Sequence, residues 1–150
     1  MISIELARRL RDAGVAWHPR TGDRFTILQP EMTGDVFTIS DMMIEAHEYS
    51  TGTVLGFNGT TEWALDSVSQ EDALWLPGED QLRELLRGTF RSLAAVPPAG
   101  PGADGGPRYV VTTRPPGADA DEQFTAEAPA DAYALAVLAL VEQALGTRAA

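Results

Sequence analysis

The spacing of apolar residues changes several times along the chain, and the order of these changes constrains the fold more than any other feature. Two segments, at about 4–13 and 79–93, carry apolar residues on one helical face, the second as a stripe of Leu82, Leu85, Leu86, Phe90 and Leu93. A third segment, about 130–145, follows Pro129, is apolar on nearly every side and is also predicted to be a helix. Strand-like segments separate the three predicted helices, so an α+β fold is expected.

The segment between the first two helices predicts strands. Residues 24–28 and 36–40 alternate with period two around a Pro30/Gly34 turn region, which is typical of a hairpin. Its inward-facing residues are expected to be Phe25, Ile27, Phe37 and Ile39.

Residues 42–67 predict a three-stranded antiparallel meander at the centre of the sheet. Asn58-Gly59 favours a two-residue hairpin turn because both positions tolerate positive φ. A three-residue turn at 50–52 would complete the meander. These turns pair Leu55 with both His47 and Glu62.

This register assigns the side chains of the meander to two faces. One face is mainly apolar and is expected to join the core. The other mixes apolar groups with carboxylates and is the predicted binding surface. Its candidate binding residues are Glu45, His47, Tyr49, Leu55, Phe57 and Glu62.

The last third of the chain completes the predicted architecture. Residues 109–114 and 123–127 predict two further strands, and 97–107 predicts a mobile Pro/Gly-rich loop. The whole pattern predicts a single domain over 1–150. Its antiparallel sheet would have about five to seven strands, with the three helices mainly on one face.

The composition excludes several kinds of chemistry. Among 150 residues there is no lysine and no cysteine, so Schiff-base and P-loop lysines, thiolate nucleophiles, thiolate metal sites and disulfides are all absent. The chain starts in a charged, helix-like segment with no signal peptide, and its longest apolar run, 132–141, is too short for a bilayer. A cytoplasmic protein without membrane contact is expected, and the exclusive use of arginine is typical of actinobacterial coding bias.

The net charge of −11 is concentrated in the middle of the chain. Residues 1–24 carry a net +2, residues 25–82 carry −11 and residues 83–150 carry −2. This excess argues against nucleic-acid binding, which needs clustered cations, and favours a basic protein partner.

Catalytic and metal-binding patterns are weak. Glu45 and His47 share a predicted strand face, but two ligands are too few for a metal site, so no metal and no cofactor are predicted. The serines stand in no nucleophile-elbow context, and no catalytic residue is assigned.

Two segments carry a resemblance to known proteins. Residues 54–67, VLGFNGTTEWALDS, and residues 74–86, LWLPGEDQLRELL, resemble a group of small actinobacterial proteins that carry the name pilus assembly protein CpaE. The resemblance covers about residues 1–93 and implies a Walker-type ATPase that positions a pilus machine. That activity needs a P-loop lysine, which this chain lacks, so no functional residue is transferred from the family.

Three functions fit these observations. The leading hypothesis is a non-enzymatic protein-binding or adaptor module whose acidic meander face binds a basic partner, an immunity-type protein that blocks a basic toxin being one version. The first alternative is a small hydrolase or small-ligand-binding protein that uses Glu45, His47 and Glu62 beneath the Pro-rich loop. The second is a structural homodimer built on the C-terminal helix, which would otherwise be sandwiched between the sheet and another helix.

Overall fold

The computed structural model describes residues 1–31, 34–40, 44–49, 52–57, 67–69, 72–98, 100, 102 and 105–149, with the backbone alone for 44–49, 52–57, 67–69 and 147–149. The contacts of the chain group into two compact units, and the single domain over 1–150 stays a prediction. Ala16–Pro77 forms the first, called here the acidic unit, and Met1–Val15 with Gly78–Ala150 forms the second, the helical unit.

The described part of the acidic unit contains six short strands. These are β1 (Arg24–Ile27), β2 (Phe37–Thr38), β3 (Ile44–Tyr49), β4 (Gly52–Phe57), β5 (Ser67–Ser69) and β6 (Ala73–Trp75). The predicted hairpin is confirmed, because β1 and β2 pair antiparallel with Phe25 opposite Phe37. Strand β6 returns to pair with the other edge of β1, and the resulting sheet has the order β2-β1-β6.

An aromatic cluster forms the core of the acidic unit. Phe25 and Ile27 are fully buried and Ile39 is nearly so, while Phe37 is half-buried against them, which confirms the predicted inward face of the hairpin. The Trp17 ring stacks nearly parallel to that of Trp75, with 6.5 Å between centroids. The stack depends on the return of β6 to β1, a pairing that the sequence-based prediction does not include.

One buried carboxylate fixes the edge of this cluster. Asp23 is 4% exposed, and its Oδ2 accepts hydrogen bonds from Trp17 Nε1 at 2.9 Å and from the backbone N–H of Arg20 at 3.0 Å. Two charge-assisted hydrogen bonds offset the cost of burying this carboxylate. Asp23 is therefore a structural residue that holds the Trp17 ring against the sheet.

The meander is confirmed as three antiparallel strands, but its predicted register is wrong. Tyr49 pairs with Gly52, so two residues separate the paired positions where the prediction has three. Because turn length sets register, every pairing between β3 and β4 moves by one residue, whereas the partner of Leu55 in the third strand lies six residues further along the chain than predicted. Leu55 pairs with Ala46 on one side and with Val68 on the other, whereas the prediction pairs it with His47 and Glu62.

The helical unit contains three helices and, among its described residues, three strands. The helices are α1 (Ile4–Asp12), α2 (Glu79–Leu86) and α3 (Pro129–Ala149), and the strands are β7 (Phe90–Val96), β8 (Arg108–Thr113) and β9 (Glu122–Ala126). The strands pair antiparallel in the order β7-β8-β9. Helix α3 packs on β8 and β9, and both other helices pack against α3.

The helix predicted over 79–93 ends at Leu86, so the prediction is wrong for the second half of that segment. Gly78 N–H donates to Gln81 Oε1 at 2.9 Å and caps the start of α2, while Leu82 and Leu86 are fully buried. A 3-10 turn at Arg87–Thr89 ends the helix, with Thr89 Oγ1 donating to Leu86 O at 2.6 Å. Residues Phe90–Val96 then form β7, because pairing with β8 outweighs the helical spacing of Phe90 and Leu93.

Helix α3 occupies the sandwiched position that the sequence offered as one of two explanations. Many of its apolar residues are buried within the chain, among them Ala132, Tyr133, Ala134, Ala136 and Val137, whereas Leu145 is 52% exposed. The homodimer on this helix stays a prediction. The helix also continues through Gly146, where the prediction ends it, since a lone glycine lowers helix stability without forbidding the conformation.

The predicted single sheet of about five to seven strands is not confirmed. The described strands form three sheets, β2-β1-β6, β3-β4-β5 and β7-β8-β9. The reason is topological: β6 follows the meander but pairs with β1, so the meander does not extend the β1–β2 hairpin. The predicted loop over 97–107 lies between β7 and β8, and its described residues belong to no helix or strand; its mobility stays a prediction.

Candidate functional site

The backbone of the acidic unit locates five of the six predicted binding residues. Glu45, His47 and Tyr49 occupy alternate positions of β3, in cross-strand rows with Gly56, Val54 and Gly52. Leu55 and Phe57 occupy the intervening rows, opposite Ala46 and Ile44. Since neighbouring rows belong to opposite faces of a sheet, the register separates the two apolar residues from the polar ones. Glu62 and the Asn58-Gly59 turn lie outside the described residues.

The acidic unit carries a strong and weakly compensated negative charge. Its sequence contains ten acidic residues against two arginines. Among those whose side chains are described, Asp23 is buried, whereas Glu31, Asp35 and Asp72 are exposed and take part in no described ion pair. At these three positions the negative charge is therefore exposed to solvent.

Arg83, Arg87 and Arg91 lie within the segment predicted as the second helix, and they have two different roles because α2 ends at Leu86. The guanidinium of Arg83 lies over the ring of Phe90, 4.3 Å from its centroid, and that ring stacks on Tyr133 with centroids 5.8 Å apart. Burial raises the pKa of the Tyr133 hydroxyl; the positive charge of Arg83 partly opposes this shift, and the negative charge of Glu79 adds to it. This stack joins α2, β7 and α3 and is structural.

Arg87 and Arg91 instead line an open cleft of about 460 Å³ in the helical unit, together with Arg114. The 3-10 turn after α2 and the Pro115–Ala118 turn after β8 form its walls, and Leu86 and Leu140 contribute apolar surface. We call this feature the arginine cleft. Its three cations stand out in a chain whose net charge is −11.

Specific hydrogen bonds orient two of the guanidinium groups. Arg91 donates from Nη1 to the carbonyl oxygens of Gly88 and Phe90, at 2.7 and 3.1 Å. Arg114 donates from Nε to Asp121 Oδ1 at 2.7 Å. Each of these side chains is held through one nitrogen, and within the described part of the chain its other N–H groups remain available to a ligand.

The sequence signal for the arginine cleft is present but ambiguous. Arg83, Arg87 and Arg91 recur every four residues, which is also the favourable placement of cations toward the end of a helix. The spacing alone therefore does not show that Arg87 and Arg91 leave the helix, which depends on the 3-10 turn at Arg87–Thr89. Arg114 reaches the same cleft only through strand pairing.

Other kinds of site find little support among the described residues. No group of three or more His, Asp or Glu side chains lies close enough to hold a metal ion within the part of the chain that was described. None of the described helices combines the length and the apolar character needed to cross a bilayer.

Comparison of the chain with family models, with curated proteins and with solved structures gave no match. The resemblance to proteins named CpaE therefore stays a prediction.

Proposed function

We propose that the protein is a non-enzymatic binding module whose acidic unit binds a basic protein surface. The observation that supports this most directly is the uncompensated charge of Ala16–Pro77, with ten acidic residues, two arginines and exposed carboxylates at Glu31, Asp35 and Asp72. A field of one sign accelerates encounter with a partner of opposite charge and disfavours partners of like charge. An immunity-type protein that neutralises a basic toxin is the specific version of this function.

Strand β3 is the proposed centre of the contact. Among the described strands it lies at the edge of the β3-β4-β5 sheet, and it carries Glu45, His47, Glu48 and Tyr49 in six residues. An edge strand offers backbone hydrogen-bonding groups beside its side chains, so a partner could add main-chain bonds to the electrostatic attraction. Tyr49 would provide an aromatic anchor, a residue type enriched in interfaces.

The test compares two charge reversals of equal size. Glu45→Lys with Glu62→Lys changes the proposed surface, and Glu5→Lys with Glu142→Lys makes the same net change at exposed positions of the helical unit. Tagged full-length proteins are incubated with lysate of the source organism, and bound proteins are quantified by mass spectrometry. We expect the meander pair to lose basic proteins that the wild type and the control pair retain.

Binding of a recovered partner is then measured with purified proteins at several salt concentrations. Affinity for the wild type should fall as salt rises, because the attraction is between solvated charges. Equal recovery of partners by both variant pairs would contradict the proposed surface, provided that circular dichroism shows both to be folded.

A further inference from the structure

The arginine cleft carries two positive charges without a counter-charge among the described residues. Asp121 neutralises Arg114, but no ion pair involves Arg87 or Arg91 in the described part of the chain. Glu122 keeps its negative charge but does not line the cleft; its carboxylate oxygens accept from Gln143 Nε2, at 3.1 and 3.0 Å. The cleft is thus electropositive within an acidic protein.

The backbone at Arg87 is unusual. It has φ 52° and ψ −135°, and among the described residues it is the one non-glycine position with a positive φ. Glycine adopts this region without steric cost, but the glycine of this turn, Gly88, is the next residue, so the strained conformation falls on an arginine. A strained conformation that places an arginine at the rim of a cleft is the kind of feature found at ligand sites.

We propose that the arginine cleft binds a small phosphate monoester with an apolar or ring-shaped remainder. A phosphate monoester carries a charge of about −1.5 to −2 near neutral pH, which matches the two uncompensated arginines better than the single charge of a carboxylate. Guanidinium groups bind phosphate oxygens through paired N–H donors, and the anchors of Arg91 and Arg114 reduce the ordering needed on binding. The apolar remainder would lie on Leu86, Leu140, Pro115 and Pro116.

The proposal is independent of the acidic unit and is tested on the full-length protein. Phenyl phosphate, inorganic phosphate and benzoate are titrated at constant ionic strength, with amide chemical shifts as the readout. We expect saturable shifts at Gly88, Thr89 and Gly117 with phenyl phosphate, at a dissociation constant of about 1 mM or tighter. Inorganic phosphate should bind more weakly, and benzoate more weakly still.

Two variant pairs separate a specific site from general charge effects. Arg87→Gln with Arg91→Gln should weaken phenyl phosphate binding about tenfold or more, since each charge-assisted hydrogen bond contributes roughly that factor. Arg8→Gln with Arg9→Gln removes the same charge from exposed positions of α1 and should change affinity by less than about twofold. Equal weakening by both pairs would overturn the proposal, as would absence of saturable shifts or tighter binding of benzoate.

A single substitution distinguishes a binding role from a structural one. Arg87→Gly relieves the positive φ, so the ligand-free protein should unfold at the same or a higher temperature. Its affinity for phenyl phosphate should nevertheless fall. A variant that keeps full affinity would show that the Arg87 side chain takes no part in binding.

Discussion

Trp17 and Trp75 provide a matched test of how the acidic unit is stabilised. Their rings stack on each other, but their indole N–H groups differ: Trp17 Nε1 donates to Asp23, whereas Trp75 Nε1 is buried and has no hydrogen-bond partner among the described residues. Replacing either residue with phenylalanine removes one ring of the stack and some buried area, at a cost of about 1–2 kcal/mol. This cost is shared, so the difference between the variants reports on the two N–H groups.

Apart from the shared cost, the two substitutions should change the free energy of unfolding in opposite directions. Trp17→Phe also loses a hydrogen bond to a buried carboxylate, worth about 2 kcal/mol, and should destabilise the unit by about 3–4 kcal/mol in total. Trp75→Phe removes a buried donor whose desolvation costs about 1–2 kcal/mol, so its net effect should be close to zero. The predicted difference is about 3 kcal/mol.

Urea unfolding followed by tryptophan fluorescence measures this difference. The tryptophans of the chain, at positions 17, 63 and 75, all belong to Ala16–Pro77, so the signal reports on that unit. With a urea slope of about 1.5 kcal/mol per M, the two midpoints should differ by about 2 M. A Trp17→Phe variant no less stable than Trp75→Phe would refute the reasoning. A double-mutant cycle with Asp23→Ala should give a coupling energy of about 2 kcal/mol, and a coupling near zero would remove Asp23 from the explanation.

Three further predictions concern the helical unit. Leu86→Ala should lower the free energy of unfolding by about 2–5 kcal/mol, because Leu86 is fully buried at the end of α2; urea unfolding followed by circular dichroism measures this. Phe90→Leu should cost about 1–2 kcal/mol in the same assay by removing the ring between Arg83 and Tyr133, and Arg83→Gln should have a much smaller effect once Phe90 is replaced. Ultraviolet titration should show one tyrosine ionising above the ordinary pKa of 10.0, and Tyr133→Phe should abolish this transition. Because the folded protein holds that proton more tightly than the unfolded chain, stability should decrease as pH rises above about 10, and this decrease should be smaller in Tyr133→Phe.

Local patterns were sufficient for several elements of this protein. Helix α1, the β1–β2 hairpin and the antiparallel meander were predictable because apolar periodicity reflects which side of an element is buried. The turn at Pro115-Pro116-Gly117 is equally local, since Gly117 has φ +77° and the N–H of Ala118 donates to Pro115 O at 3.0 Å. In each case the decisive interactions lie within a few residues of one another.

Features that depend on distant pairing were not predictable. The four-residue recurrence in 82–93 fits a helix, and the segment 90–96 becomes a strand because β8, on the far side of the Pro-rich loop, supplies its hydrogen bonds. In the meander, two residues separate the first paired positions of β3 and β4 where the prediction has three. This difference shifts the β3–β4 register and separates Leu55 and Phe57 from Glu45 and His47. Periodicity contains no information about either partner strand.

The sequence by itself determined the α+β class, the three helices, the absence of lysine and cysteine chemistry and the location of the negative charge, since these depend on composition and on neighbours along the chain. The tertiary structure alone decided that β6 pairs with β1, that Asp23 holds Trp17, and that Arg87, Arg91 and Arg114 line one cleft. The first and the third form only after strands or turns distant in the chain have been brought together. Trp17 and Asp23 are six residues apart, but neither belongs to a helix or strand whose periodicity would predict their contact.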